Sequence, residues 1–183
     1  MTSTPFYEFP YSQPIQGRGS ATVVTFTRPT NTTSYTAADV IGAADTVTPA
    51  NAGSAIFEFV GAGRAGGVFQ VQGATCTINS TTVPTGMTTL KLHLFNASPT
   101  AILENAPFAL LAADRTRYLA QLDLPAVAAV GGGFVRSVIE VANERSIVLT
   151  GTSVFGLLVT DAAVTSPASG LEFRLQLFLQ EIA

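Results

Sequence analysis

The chain has 183 residues, 47% of them hydrophobic and only 11% charged, with a formal net charge of -3. That length suits one domain able to bury roughly 70% of its unfolded surface. A single lysine, Lys91, and scattered arginines offer no cation track for nucleic acid, and no apolar run approaches the ~20 residues of a membrane-spanning helix.

Low charge with a mean hydropathy of +0.38 means that much of the surface is either small and neutral or covered by something. Lysine and glutamate are the residues depleted at protein interfaces, so the composition fits an assembly component. A compositional habit of the source genome fits it equally.

Residues 1–20 read as an extended arm. Pro5, Pro10 and Pro14 forbid regular helix and central strand alike. Phe6, Tyr7, Phe9 and Tyr11 nevertheless give it an aromatic content that a solvated tail would not carry. Such a segment gains order by lying on its own domain or on a neighbour, and these four are the expected partner contacts. The stretch lacks the basic start and apolar core of a secretory signal.

Residues 21–183 form the expected folded domain, and their grammar is that of β structure. ATVVTFT (21–27) is rich in β-branched residues and stops at Pro29; NTTSY (31–35) is a turn region before the short run 39–42. Further strands are expected in SAIFEFV (54–60), GVFQVQ (67–72), ATCTIN (74–79), TTLKLHLFN (88–96), RSIVLTG (145–151), SVFGLLVTD (153–161) and LEFRLQLFLQ (171–180). In the last, Leu171, Phe173, Leu175, Leu177 and Leu179 alternate with Glu172, Arg174, Gln176 and Gln180, the pattern of a strand with one wet face. Phe178 interrupts the polar side.

Helical signal is confined to NAPFALLAADRTRYLA (105–120), with Asn105 near the N-cap and Pro107 in the first turn. GGGFVRSVIEVANERSIVLTG (131–151) also places Val135, Val138, Ile139 and Ala142 on one helical face. Its β-branched content favours a hairpin turning at ANER (142–145). Short strands with turn signals every 8 to 12 residues point to an all-β domain, a β-sandwich or jelly roll.

Several motifs imitate chemistry. Gly61, Gly63 and Gly66 spell G-x-G-x-x-G after an apolar run, but a dinucleotide site needs a helix next and an acid about 20 residues on. The next segment is the strand-like VFQVQGATCTI, and NSTTVPTGMTTLK contains no acid; the glycines belong to a strand-to-strand loop. In GTSVFG, Phe155 occupies the place where a nucleophile elbow requires glycine. Cys76 is alone and reads as a packed thiol. His93 is the single histidine and shares a strand face with Lys91 and Phe95, with Leu90, Leu92 and Leu94 opposite. It has no second ligand at metal spacing, and packing is the expected role. Asp39, Asp45, Glu140 and Glu144 read as solvated carboxylates. Asn31-Thr32-Thr33, Asn79-Ser80-Thr81 and Asn96-Ala97-Ser98 read as turns. No catalytic set, metal site or cofactor is expected.

Two stretches resemble a known family. TFTRPTNTTSYTAADVIG (25–42) and KLHLFNASPTAILENAPFALLAADRTRYL (91–119) are similar to small β-rich virion proteins of tailed bacteriophages: head decoration, cement or minor capsid proteins. The residues that carry it are Thr27-Arg28-Pro29, Tyr35 with Asp39 to Gly42, His93 to Phe95, Ser98 to Thr100, Glu104 to Phe108, and Asp114-Arg115 with Tyr118-Leu119. The resemblance covers the N-terminal two-thirds and transfers no catalytic residue.

It implies a non-enzymatic capsid protein that stabilises a shell through contacts with the major capsid protein and with copies of itself. Its place would be the virion, after assembly in the host cytoplasm, with no nucleic acid, membrane or small-molecule substrate as partner. The alternatives are a carbohydrate- or ligand-binding sandwich module, or a head-tail or tail structural protein. Physically, Arg28 with Asp39, and Asp114 with Arg115, are expected to lock corners by charge-assisted hydrogen bonds.

Overall fold

The computed structural model describes residues 19–43, 55–140, 146–165 and 169–182. The strands in chain order are β1 (Gly19–Thr27), β2 (Val40–Ile41), β3 (Phe57–Phe59), β4 (Val68–Ile78), β5 (Leu90–Phe95), β6 (Tyr118–Leu124), β7 (Ala128–Gly131), β8 (Phe134–Glu140), β9 (Ser146–Val148), β10 (Val154–Thr160) and β11 (Glu172–Glu181). They form two antiparallel sheets. One runs β1-β11-β4-β8-β7 with β9 also on β4; the other runs β2-β10-β5-β6 with β3 also on β10.

Two of these strands are interrupted rather than separate. β2 and β3 lie end to end along β10, opposite Leu158–Val159 and Val154–Gly156. β8 and β9 lie end to end along β4, opposite Gly73–Ile78 and Val68–Gln70. Joined in this way, and with β7 set aside as an added edge, eight strands remain. Their order is first-eighth-third-sixth in one sheet and second-seventh-fourth-fifth in the other. First pairs with eighth, second with seventh, third with sixth and fourth with fifth. This is one long antiparallel hairpin rolled into a sandwich, and it is a jelly roll.

The alternation anticipated in β11 is present: Phe173, Leu175, Leu177 and Leu179 point inward and are buried. β4 shows why its sequence reads as two strands. Phe69 and Val71 face the core in odd register, whereas Ala74, Cys76 and Ile78 face it in even register. The ladder to β11 shifts between Phe178 and Leu179, opposite Val71 and Gly73. One extra residue there reverses the parity; without it, half of the strand would turn its apolar set to solvent. Between the sheets, Phe26 stacks on Phe57 with centroids 4.3 Å apart and on Phe173 at 5.1 Å. That stack joins β1 and β11 to β3 across the core.

The helix expected from Asn105 is absent, and a single 3-10 turn at Ala112–Asp114 takes its place. The backbone of 105–108 is used otherwise. Asn105 N–H donates to the Val40 carbonyl (2.8 Å), Val40 N–H to Ala106 (2.9 Å) and Phe108 N–H to Ala38 (2.7 Å). Pairing with the segment before β2 removes the donors and acceptors a helix needs. It also lays Ile102, Phe108 and Leu110 over the outer face of the second sheet, against Val40, Phe95, Leu157 and Val159.

The hairpin expected at ANER is also corrected. β8 and β9 both pair with β4 and not with each other, and the turn itself lies outside the described residues. The tight turn of this region is Gly131-Gly132-Gly133, joining β7 to β8 with all three φ positive.

Candidate functional site

Phe6, Tyr7, Phe9 and Tyr11, the expected partner contacts, lie outside the described residues. The first described residue, Gly19, already belongs to β1 and pairs with Gln180, so the last two residues of the expected arm belong to the strand.

The glycine motif connects β3 to β4. Gly61 and Gly66 have φ of 70° and 75°, and Gly63 lies against the Phe69 ring, where a Cβ would approach within 2.2 Å of it. The chain continues from this loop into a strand, so no helix N-terminus is presented to a phosphate. The glycines serve a tight turn over an aromatic side chain.

His93 faces outward from β5 and is only 6% exposed, because the long β5–β6 connection covers it. Its ring stacks on Phe108 at 4.0 Å, and Nδ1 lies 3.2 Å from the Tyr118 hydroxyl. Burial, and secondarily the Lys91 charge, pull its pKa down to about 4. The ring is therefore neutral at pH 7 and walled by aromatic rings, an arrangement of packing. The Cys76 thiol is fully enclosed between the sheets, and burial pushes its pKa up to about 12. Among the described residues no group of three or more His, Cys, Asp or Glu is placed to hold a metal ion. No helix there is long and apolar enough to cross a membrane.

Three of the residues that carried the family resemblance, Arg28, Tyr35 and Glu104, meet in one buried polar cluster. The Arg28 guanidinium has no exposed side-chain surface and faces Glu104 Oε1 at 3.3 Å. It also donates to the Tyr35 hydroxyl (3.0 Å), the Asn31 carbonyl (2.9 Å) and Asn31 Oδ1 (3.1 Å). The Tyr35 hydroxyl donates to Glu104, and burial, reinforced by Glu104, raises its pKa well above the ordinary phenol value.

Arg28 thus pairs with Glu104, not with Asp39 as expected. Asp39 instead accepts from the backbone N–H and the hydroxyl of Thr36 and closes the turn before β2. Asp114, likewise, accepts from the Thr100 N–H (3.1 Å) and pairs with Arg117 at 3.6 Å rather than with Arg115. The second is a local i,i+3 pair beside the 3-10 turn; the first is long-range. The β5–β6 connection folds back over the second sheet and brings Glu104 to a residue 76 positions earlier, a proximity that local spacing does not encode.

The outer face of the first sheet is open. Strand register sets Thr25, Arg174, Thr77, Arg136 and Ala128 in one row, with Val23, Gln176, Thr75 and Val138 in the next. Val23 and Val138 are 43% and 40% exposed. Thr75, Thr77, Phe134, Arg136, Arg174 and Gln176 line a depression of about 320 Å³ on this face. Composition had suggested such a neutral surface, but which strands would display it depends on register.

No family model matches the chain, and no curated protein matches it in sequence. Among solved structures, it is similar to a chain of the Desmodium yellow mottle tymovirus structure at 16% identity and a TM-score of 0.30. That match covers 99% of this chain and 95% of the other. A chain of the cryoEM structure of Mud Crab Dicistrovirus shares 11% identity at a TM-score of 0.30, over 98% of this chain and 76% of that one. With overlap this low, the fold assignment rests on strand order alone.

Proposed function

We infer that the chain is a structural subunit of a viral shell that works by contact and transforms nothing. The observation that carries this reading is the nested eight-strand order, since the jelly roll is an architecture of viral capsid domains, though also of lectins and cupins. The resemblance of 25–42 and 91–119 to tailed-phage virion proteins supports the finer assignment to head decoration, cement or minor capsid proteins. The fate of the eye-catching side chains agrees: His93 is packed, Cys76 is enclosed, and Arg28, Tyr35 and Glu104 are spent on one another. Its partners are the major capsid protein and its own copies, and its place is the virion after assembly in the host cytoplasm.

In this reading residues 1–18 are the leash, with Phe6, Tyr7, Phe9 and Tyr11 seated on a neighbour. A segment that orders on binding covers a large area while leaving the folded core unaltered. Removal of residues 1–17, which stops short of β1, tests this. The truncated chain is expected to fold normally and to lose self-association; unaltered association overturns the role of the arm.

A further inference from the structure

The described cations of this chain are mostly neutralised within it. Arg28 pairs with Glu104, Arg64 with Glu181, Lys91 with Asp161 and Arg117 with Asp114. Arg136 and Arg174 depart from that pattern together. β8 and β11 flank β4, and register places both arginines beside Thr77, one on each side. Two strand spacings separate them, roughly 9.5 Å, and both line the same depression. Among the described residues no carboxylate lies at ion-pairing distance from either, and Glu172, on the same face, makes no ion pair. Two like charges held across one hollow repel unless an anion lies between them.

The rest of the hollow narrows the anion. Thr75, Thr77 and Gln176 also line it, together with Phe134, which is 37% exposed. Hydroxyl and amide groups both donate and accept, which suits a ligand rich in hydroxyls. The aromatic ring offers an apolar face to the C–H side of a sugar. The amide strip continues on the same sheet, where Gln72 Nε2 donates to Gln70 (2.6 Å) and to Gln180 (3.1 Å).

An extended peptide would need a free sheet edge for main-chain pairing, and all three strands under the hollow, β11, β4 and β8, are paired on either side at the residues that line it. Nucleic acid would need a longer track of cations.

We propose that this hollow binds an acidic oligosaccharide, with Arg136 and Arg174 forking onto its carboxylates and the threonine and glutamine groups onto its hydroxyls. The site is independent of any role in a shell. It is shallow, so affinity for one short chain is weak, with Kd on the order of 1 mM.

The test is titration of the isotope-labelled full chain with tetragalacturonate, read out as amide shifts. Saturable shifts are expected in 75–77, 134–137 and 173–177. Kd should rise about tenfold in Arg136→Gln and in Arg174→Gln, stay unchanged in Arg115→Gln, and rise with salt. Equal binding of neutral maltotetraose, equal binding of tetraglutamate, undiminished affinity in both arginine variants, or no saturable shift up to about 20 mM would each overturn the proposal.

Discussion

Glu104→Gln isolates the charge in the buried cluster. Glutamine keeps the shape of glutamate and an oxygen beside the Tyr35 hydroxyl, but it removes the anion. The Arg28 guanidinium, with side-chain exposures of 0% and 1% for the original pair, loses that charge partner while keeping its bonds to Asn31 and Tyr35. Removing one member of a buried pair costs about 3–5 kcal/mol. The retained hydrogen bonds place this case at the low end, about 3 kcal/mol.

For a domain of this size each kcal/mol moves Tm by roughly 2–4 °C, so the midpoint should fall by about 6–12 °C. Tyr35→Phe removes a hydroxyl that donates to Glu104 and accepts from Arg28, with an expected cost of about 1.5–3 kcal/mol. Both changes act on Glu104 Oε1, so the double variant should lose less than the sum. Urea unfolding and calorimetry of the three variants measure this. A Glu104→Gln protein within about 0.5 kcal/mol of the parent, or strictly additive losses, would refute the reasoning. Alkali gives a second reading. Because folding raises the Tyr35 pKa, the stability it contributes is intact below the unfolded phenol value of about 10 and is lost as pH climbs beyond it.

Two further predictions concern the packed side chains. His93 takes up a proton near pH 4 when folded but near 6.5 when unfolded, so its contribution is constant above about pH 6.5 and drops as pH falls, by about 2 kcal/mol at pH 5. Denaturation at pH 7 and pH 5 should show that slope in the parent and lose it in His93→Gln; the same slope in both would contradict it. Cys76, enclosed and with its pKa pushed up to about 12, should resist iodoacetamide in the folded protein and react fully in denaturant. Rapid labelling under native conditions would place the thiol elsewhere.

The β architecture was legible where period and turn chemistry agreed, as in β11, β5 and the loop at Gly61–Gly66. It was obscured where long-range pairing overrode local signal. The segment 105–110 has helix-start chemistry, yet its backbone is captured by 38–40. β6 starts at the end of the expected helix and runs past it, and its signal is the alternation of Ala120, Leu122 and Leu124 with Gln121 and Asp123. The corner residues were correctly read as fold devices with the wrong partners: Arg28 and Asp114 do lock corners, through Glu104 and Arg117. Spacing along the chain reveals an unpaired charge but not which distant segment will fold over it. The Arg136–Arg174 hollow was invisible for the same reason, since it exists only once β4 sets the register of both neighbours.

The most direct test of a shell subunit that works by contact is the solution mass of the purified full chain beside the chain lacking residues 1–17, by light scattering over a concentration series. The proposed role predicts a closed oligomer of defined size for the first and a folded monomer for the second. A full chain that stays monomeric at every concentration, or a truncated one that assembles equally well, would contradict it.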